Sequence, residues 1–525
     1  VYVYLEELPL TVNGKVNKKA LPRPEAKKKE SKGRSASTPL QKEIAEMFAK
    51  ALGIESIGID EDFFEMGGTS MLASKIAMAA MVKDMPIAYQ DVFNYPTVAA
   101  MEEHVLEASG GEHEEAEEKK KTVEAPVQDG SVDAVLAGNS LKYIDGIRDG
   151  YKEDLGTVLL TGATGFLGIH VLGYLLEHTS SKIICLIRKG NAESVDKRMK
   201  TMLMYYFDKP YNEAFEAERV LTLDGDITDR DKVLALNKVP FDTVINCAAC
   251  VKHFANDDIL ERVNVTGVKN LMTLCEETGR RLVQISTVSV AGENVDHALP
   301  SHLVMNETML FFGQDLSNQY VRSKFEAERV MLNDIAKGKL DGKIIRVGNL
   351  MSRESDSEFQ VNSITSGFMR SLRGYVTIGA YPESEMARPV EFSPIDVTAE
   401  AVVRLAGTPS RYTVFHAVNG HWIEMGDLIA AVNEAGLKVD MVSDREFQKR
   451  LKEALSDEKK NMLVSGLISY LSSDADSVRS YVGEDHAFTK NVLYRLGFRW
   501  PLTDEKYLTG AIEALITMGF FDEEE

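Results

Sequence analysis

The chain has 525 residues, with 81 acidic against 60 basic side chains and a net charge of −21; that length is more than one core usually holds and points to about three units. The acidity excludes a nucleic-acid or anionic-membrane surface, either of which needs a basic face, and no apolar run reaches the roughly 18 residues of a spanning helix. A cytoplasmic location with neither membrane nor nucleic acid as partner is therefore expected. Val1-Tyr-Val-Tyr opens in mid-pattern, without Met or a signal peptide, so the chain reads as a segment of something larger. The four cysteines, Cys185, Cys247, Cys250 and Cys275, are too few for a disulfide framework. Cys247-Ala-Ala-Cys250 has redox spacing but no second pair or nearby His, and is expected to be a strand end; no metal site is expected.

In chain order, Pro9-Leu-Thr-Val-Asn-Gly-Lys-Val-Asn-Lys-Lys-Ala-Leu-Pro22 places an Asn13-Gly14 turn between extended segments, with Lys15 at its exit. The stretch resembles the terminal motif of adenylation domains in nonribosomal peptide synthetases, whose equivalent lysine contacts the acyl-adenylate. Residues 1–25 are thus expected to be the remnant of such a domain, unable to activate anything alone, and the charged, Pro-bearing residues 26–37 a linker. Leu40, Ile44, Phe48 and Leu52 then recur every four residues, as on one face of a helix. Asp62-Phe-Phe-Glu-Met-Gly-Gly-Thr-Ser70 puts a serine just after a Gly-Gly turn, at the start of a second helical pattern. A phosphate carried there would meet free N–H groups and the positive end of the helix dipole. A last short helix follows Tyr95-Pro96-Thr97 through Val98, Met101 and Val105. Met71, Met78, Met81 and Met85 read as flexible core and docking residues.

This stretch resembles peptidyl and acyl carrier proteins. The resemblance implies a small helical bundle over residues 38–108 with phosphopantetheine attached to Ser70, a phosphopantetheinyl transferase as partner and a substrate arriving as a tethered acyl or peptidyl thioester. Residues 109–135 form a second linker, whose Glu112–Lys121 charge run cannot bury a face.

Beyond it, Leu155-Gly-Thr-Val-Leu-Leu-Thr-Gly-Ala-Thr-Gly-Phe-Leu-Gly168 reads as strand, Gly-rich turn and helix, the order a dinucleotide site requires. Gly162 permits the turn, Gly165 lets the backbone approach a pyrophosphate, and Gly168 lets helix and strand pack; Thr164, Phe166 and Leu167 complete the cofactor loop. Arg188 ends the next strand 20 residues after Gly168, where an NAD-specific site carries a carboxylate. A guanidinium there suits the 2′-phosphate of NADPH, with Lys189 and Arg198 as additional cations. At the following strand ends Asp226 and Ile227 are expected near the adenine, and Ala248 along the pyrophosphate path.

Leu282-Val-Gln-Ile-Ser286-Thr287-Val-Ser289 is a strand ending in hydroxyls, and Tyr320-Val-Arg-Ser-Lys324 puts Tyr320 and Lys324 on one helix face, where an ammonium would lower the Tyr pKa. Together these motifs resemble the extended short-chain dehydrogenase/reductase family, with Thr287, Tyr320 and Lys324 as its catalytic triad and Asn264 in a further matching motif. Thr287 is favoured over Ser286 or Ser289 by its distance to Gly292. The region from Leu136 resembles, within that family, the thioester reductases that include carboxylic acid reductases and α-aminoadipate reductase. The fold class that follows is α/β: a Rossmann-type core over about 155–350 and a mostly helical substrate subdomain over about 351–525, preceded by the carrier bundle. His416 and His421, flanking Asn419-Gly420, are read as a turn without chemistry. The resemblance implies NADPH-dependent release of the tethered thioester as an aldehyde, or an alcohol after a second hydride, ending the work of upstream adenylation and condensation modules. A carrier-linked ketoreductase or epimerase, a non-redox cyclase and a nucleotide-sensing module stay open on the same fold.

Overall fold

The computed structural model describes residues 33–109 apart from 69, 84 and 88–90; 130–251 apart from 191; 259–295; 299–360 apart from 301; and 367–522 apart from 458 and 471–478. The expected adenylation remnant with Lys15 lies outside the described residues. Two compact units emerge, Val1–Glu115 and Ala116–Glu525.

In the first unit, α1 (Pro39–Leu52) starts where Thr38 caps the backbone of Gln41 and Gln41 answers in a capping box. Gln41 also reaches Glu102 at 2.6 Å on α3 (Val98–Ser109), so the start of one helix is tied to another. Ile44, Phe48, Phe63, Ile76, Val98 and Met101 form the core, with Phe48 and Phe63 edge to face at 5.3 Å. The turn before α2 (Ser70–Val82) depends on its glycines. Gly67 has φ +105°, and a Cβ on Gly68 would lie 2.4 Å from the Phe63 ring. Asp62 holds this turn from the other side, accepting the N–H groups of Phe64 (2.7 Å) and Glu65 (3.2 Å). Ser70 is thereby the first residue of a helix.

In the second unit, short helix α4 (Gly130–Ala137) precedes the nucleotide core. Among the described residues seven strands form one sheet: β1 (Thr157–Thr161), β2 (Lys182–Ile187), β3 (Val220–Asp224), β4 (Thr243–Asn246), β5 (Arg281–Thr287), β6 (Gly342–Val347) and β7 (Val414–Ala417). Their spatial order is β7-β6-β5-β4-β1-β2-β3, and every pairing is parallel. The strands are near-continuous apolar runs because both faces are covered. Val158, Leu160, Ile245, Ile345 and Phe415 pack on one side, under α5 (Phe166–His178), α6 (Val195–Phe207), α9 (Ile395–Ala406) and α10 (Ala487–Arg495). Leu159, Ile184, Val244, Leu282 and Val414 pack on the other, under α4, α7 (Gly267–Thr278) and α8 (Gln319–Ala336). Each such side chain contributes about 1.5–3 kcal/mol by leaving water.

The stretch after residue 350 is less separate than the sequence pattern predicts. It supplies β7 to the main sheet and α9 against α5, along with short two-stranded pairings such as Pro389–Glu391 with Trp422–Glu424. His416 accordingly lies in a buried strand rather than a turn.

Candidate active site

The strand order reverses between β1 and β4, and Gly162, Arg188, Asp226, Ala248 and Thr287 lie at or just beyond the C-terminal ends of their strands, where an α/β sheet forms its ligand crevice. At its centre Gly162 has φ +67°, and a Cβ there would lie 2.5 Å from the Ala248 nitrogen. A Cβ on Gly168 would come within 2.2 Å of the Gly162 oxygen. These two glycines let β1, the loop after β4 and α5 close on one another. Gly165 is exposed and caps α5 without a side chain, and Thr164 and Phe166 are partly exposed beside it, while Leu167 is buried beneath. The helix therefore presents backbone N–H groups and the positive end of its dipole to the crevice, an arrangement that fits a pyrophosphate. Behind the loop a polar ladder sets its shape. Thr161 and the Ala248 N–H (3.1 Å) share the Asn246 oxygen, and the Asn246 amide donates to Gln284 at 2.7 Å.

One end of the crevice is cationic and open. Arg188 leaves β2 with its side chain 69% exposed and 3.7 Å from Asp226, a pair too solvated to hold the guanidinium strongly. Arg198, on α6, spends a donor on the Arg188 carbonyl and so braces that backbone. Asp226 also accepts from the N–H and hydroxyl of Thr228, both at 2.9 Å. Ile227 is buried, and its carbonyl accepts from Asn270 at 2.9 Å.

The other end is buried. Asn318 caps α8 through the Val321 N–H (3.1 Å), which fixes Tyr320 in the first turn and Lys324 one turn on. Thr287 ends β5, and its hydroxyl meets both Tyr320 and Ser289, the latter at 3.0 Å. Ser286 is on the opposite face of the sheet, its hydroxyl buried without a partner among the described residues. Lys324 is 4% exposed and donates to the Ile285 carbonyl at 2.9 Å. Burial pulls the lysine down to about 8, against which Glu328 and then Cys247 act.

The expectation that Lys324 lowers the Tyr320 pKa needs correction. Burial pushes the phenol up to about 12; the Thr287 hydrogen bond works against that shift and the nearby Cys250 adds to it. Burial outweighs any help from Lys324, one of whose donors goes to the Ile285 carbonyl, so the resting phenol keeps its proton.

Asn264 lies in a π-helical turn, Glu261–Thr266, of the kind found at functional sites. It accepts the Cys250 N–H (2.8 Å), and its amide donates to the Cys250 carbonyl and the Ser323 hydroxyl, both at 2.9 Å. It thus joins the loop after β4 to the helix carrying Tyr320. Both cysteines of that loop are free, and burial pushes the Cys247 thiol up to about 12, out of redox range.

Sequence reasoning passed over Glu391, 2% exposed, which accepts the N–H groups of Asn349 (2.9 Å) and Asn419 (3.1 Å) and a hydrogen bond from Ser393. It gathers the exits of β6 and β7, and Asn349 follows by two residues Val347, the partner of Thr287 across the sheet. Burial pushes this carboxyl up to about 8. The available signal was a single acid in the otherwise uncharged stretch Pro389-Val-Glu-Phe-Ser-Pro394.

Residues 42–105 match the family model described as phosphopantetheine attachment site, and residues 160–402 match NAD_binding_4, described as male sterility protein. A solved thiolation-reductase di-domain from an archaeal non-ribosomal peptide synthetase is 34% identical with a TM-score of 0.82, covering 94% of this chain and 100% of that one. A linear gramicidin synthase of Brevibacillus parabrevis is 26% identical over 99% of this chain and 10% of its own length. The L-2-aminoadipate reductase of Eremothecium gossypii is 26% identical over 86% and 34%. The chain thus spans between a tenth and a third of the length of these two relatives. No helix among the described residues is long and apolar enough to cross a membrane. With a carrier domain of the phosphopantetheine-attachment type and a reductase domain of the NAD-binding type in one chain, this protein belongs to the thiolation-reductase di-domain family of non-ribosomal peptide synthetases.

Proposed function

We propose that the chain releases an acyl or peptidyl thioester, carried on phosphopantetheine at Ser70, as an aldehyde at the expense of NADPH, and that it performs the terminating step for upstream adenylation and condensation modules in the cytoplasm. The observation that carries this reading is the Thr287–Tyr320 hydroxyl pair at the end of β5 with Lys324 one helical turn away. When bound, NADPH supplies the hydride. Gly162, Thr164, Gly165, Phe166, Leu167, Gly168 and Ala248 would cradle its pyrophosphate, Arg188 and Arg198 its 2′-phosphate, and Asp226 and Ile227 its adenine. Thr287 and Tyr320 donate to the thioester oxygen as it gains negative charge, in a site dry enough for such bonds to count. A phenol held near 12 gives up its proton only to a strong base such as that alkoxide. Lys324 orients the ribose and is placed to favour the transient phenolate. The hemithioacetal then collapses, its hydroxyl proton leaving with the pantetheine thiol, and frees the aldehyde; an alcohol follows only where a second NADPH delivers another hydride.

The test is to load the arm with a phosphopantetheinyl transferase and an acyl-coenzyme A, add NADPH and identify the product by mass spectrometry. Loading should occur on wild type and not on Ser70→Ala, and aldehyde or alcohol should appear free in solution. An acyl group that stays tethered while NADPH is consumed would replace this reading with carrier-bound modification.

A further inference from the structure

A run of buried polar groups starts at Lys324 and leads away from the reaction pocket, unused by the steps above. Glu328 lies four residues beyond Lys324 on the same face of α8 and is fully buried. Its carboxylate is forked by Arg346 of β6, with Nε at 3.1 Å from both oxygens and Nη2 at 2.7 Å from one. Arg346 is fully buried as well. Its remaining donors go to the Met309 carbonyl (3.0 Å), the Met305 sulfur (3.6 Å) and Nε2 of His416 (3.0 Å). His416 on β7 contacts the Asp485 carbonyl through Nδ1 at 2.7 Å, so it donates there and accepts from Arg346. Burial holds His416 far below its usual range, in keeping with a neutral acceptor. The guanidinium is therefore locked from three strands and loops, and it locks the carboxylate in turn.

Lys324 faces Glu328 from its own helix, the Cys247 thiol from the loop after β4 and the Ile285 carbonyl of β5. Of these, Glu328 most opposes the loss of the lysine's proton to burial, with Cys247 after it. We infer that Glu328 is a positioning residue for Lys324: pinned by Arg346 and His416, it holds negative charge one helical turn from the ammonium and keeps that lysine protonated while reduction runs. The inference rests on the role proposed for Lys324 above.

The experiment follows kcat/KM for NADPH-dependent reduction of octanoyl-pantetheine by the full chain from about pH 6.5 to 9.5. Activity should fall on an alkaline limb, and Lys324→Arg, whose guanidinium does not deprotonate, should remove that limb from whatever activity remains. Glu328→Gln should move the limb down by about one pH unit, the low end of what a nearby opposite charge does, which costs about tenfold above it. Glu328→Asp should restore most of the wild-type profile, an outcome a purely structural role does not produce. Glu328→Gln leaves a buried unpaired cation and is prone to unfold. The double variant Glu328→Gln/Arg346→Met avoids that unpaired cation and should move the limb in the same direction but by less, because the Arg346 charge that opposes the ammonium leaves with the carboxylate. An unmoved limb in these variants, with Lys324→Arg still removing it, overturns this inference and leaves the role of Lys324 standing. A limb that survives Lys324→Arg overturns both.

Discussion

The two ends of the nucleotide crevice solve different problems with different materials. At the ribose end Arg188 is mostly exposed, meets Asp226 only at 3.7 Å and relies on Arg198 to steady its backbone. At the hydride end Lys324 is almost fully buried and Thr287 is 8% exposed, each with its polar atoms committed. An exposed cation gains little until a phosphate reaches it, so under the proposed function the first end governs affinity and the choice between cofactors. Buried groups held by neighbours move little during reaction, so under the proposed function the second end governs rate.

Three substitutions test that division, and a fourth tests the buried carboxyl near the sheet's exits. The largest effect should come from Tyr320→Phe, which removes one donor to the developing alkoxide and keeps the ring. Turnover and aldehyde release should fall by about 10²–10³, while NADPH affinity, followed by its fluorescence, stays near wild type. Parallel loss of affinity and rate would erase the division. Next, Arg188→Ala should weaken NADPH binding by about 1.5–3 kcal/mol and leave NADH binding and kcat almost unchanged; equal losses for both cofactors would make Arg188 structural. Arg198→Ala removes a brace rather than the phosphate's main partner, and a smaller loss of about 1 kcal/mol for NADPH is expected by titration. A loss exceeding that of Arg188→Ala would reverse their ranking.

The smallest effect concerns Glu391 at the exits of β6 and β7. Its carboxyl is raised by burial to about 8, so between the ordinary carboxylate range and that value the folded state holds the proton more tightly than the unfolded one. Its contribution to stability is therefore complete at low pH and declines as pH rises toward 8. Glu391→Gln should flatten the fall of Tm between about pH 5 and 8, read by calorimetry. A variant whose Tm falls as steeply as wild type would show that another group sets that slope, with Glu307 and Glu484, both raised to about 7, the first to examine.

How much of this was legible in the sequence follows the range of the interactions. The Gly162-to-Gly168 loop, the Tyr320–Lys324 face and the Gly67-Gly68 turn are encoded within a few residues, and local spacing sufficed to find them. The direction of the Tyr320 shift was not, because it is set by burial, which outweighs the hydrogen bond with Thr287, 33 residues away in sequence. Glu391 and the Glu328–Arg346–His416 run were hidden for the same reason: their partners come from distant strands, and an isolated charge in an apolar stretch does not say which backbone it serves. β7 escaped because four residues between helices carry too short a pattern to announce a sheet strand.

That late strand has a consequence for how the polypeptide is made. β6 is exposed along one side until residues 414–417 arrive, and the helix that covers β7, α10, comes later still at 487–495. During synthesis the residues of the first unit can pack as soon as they emerge, whereas the nucleotide core waits, with an unpaired parallel edge, for most of its remaining sequence. Trimming the chain near residue 350 to obtain a minimal cofactor-binding fragment would leave that edge open permanently. The product would be a template for aggregation rather than a smaller reductase.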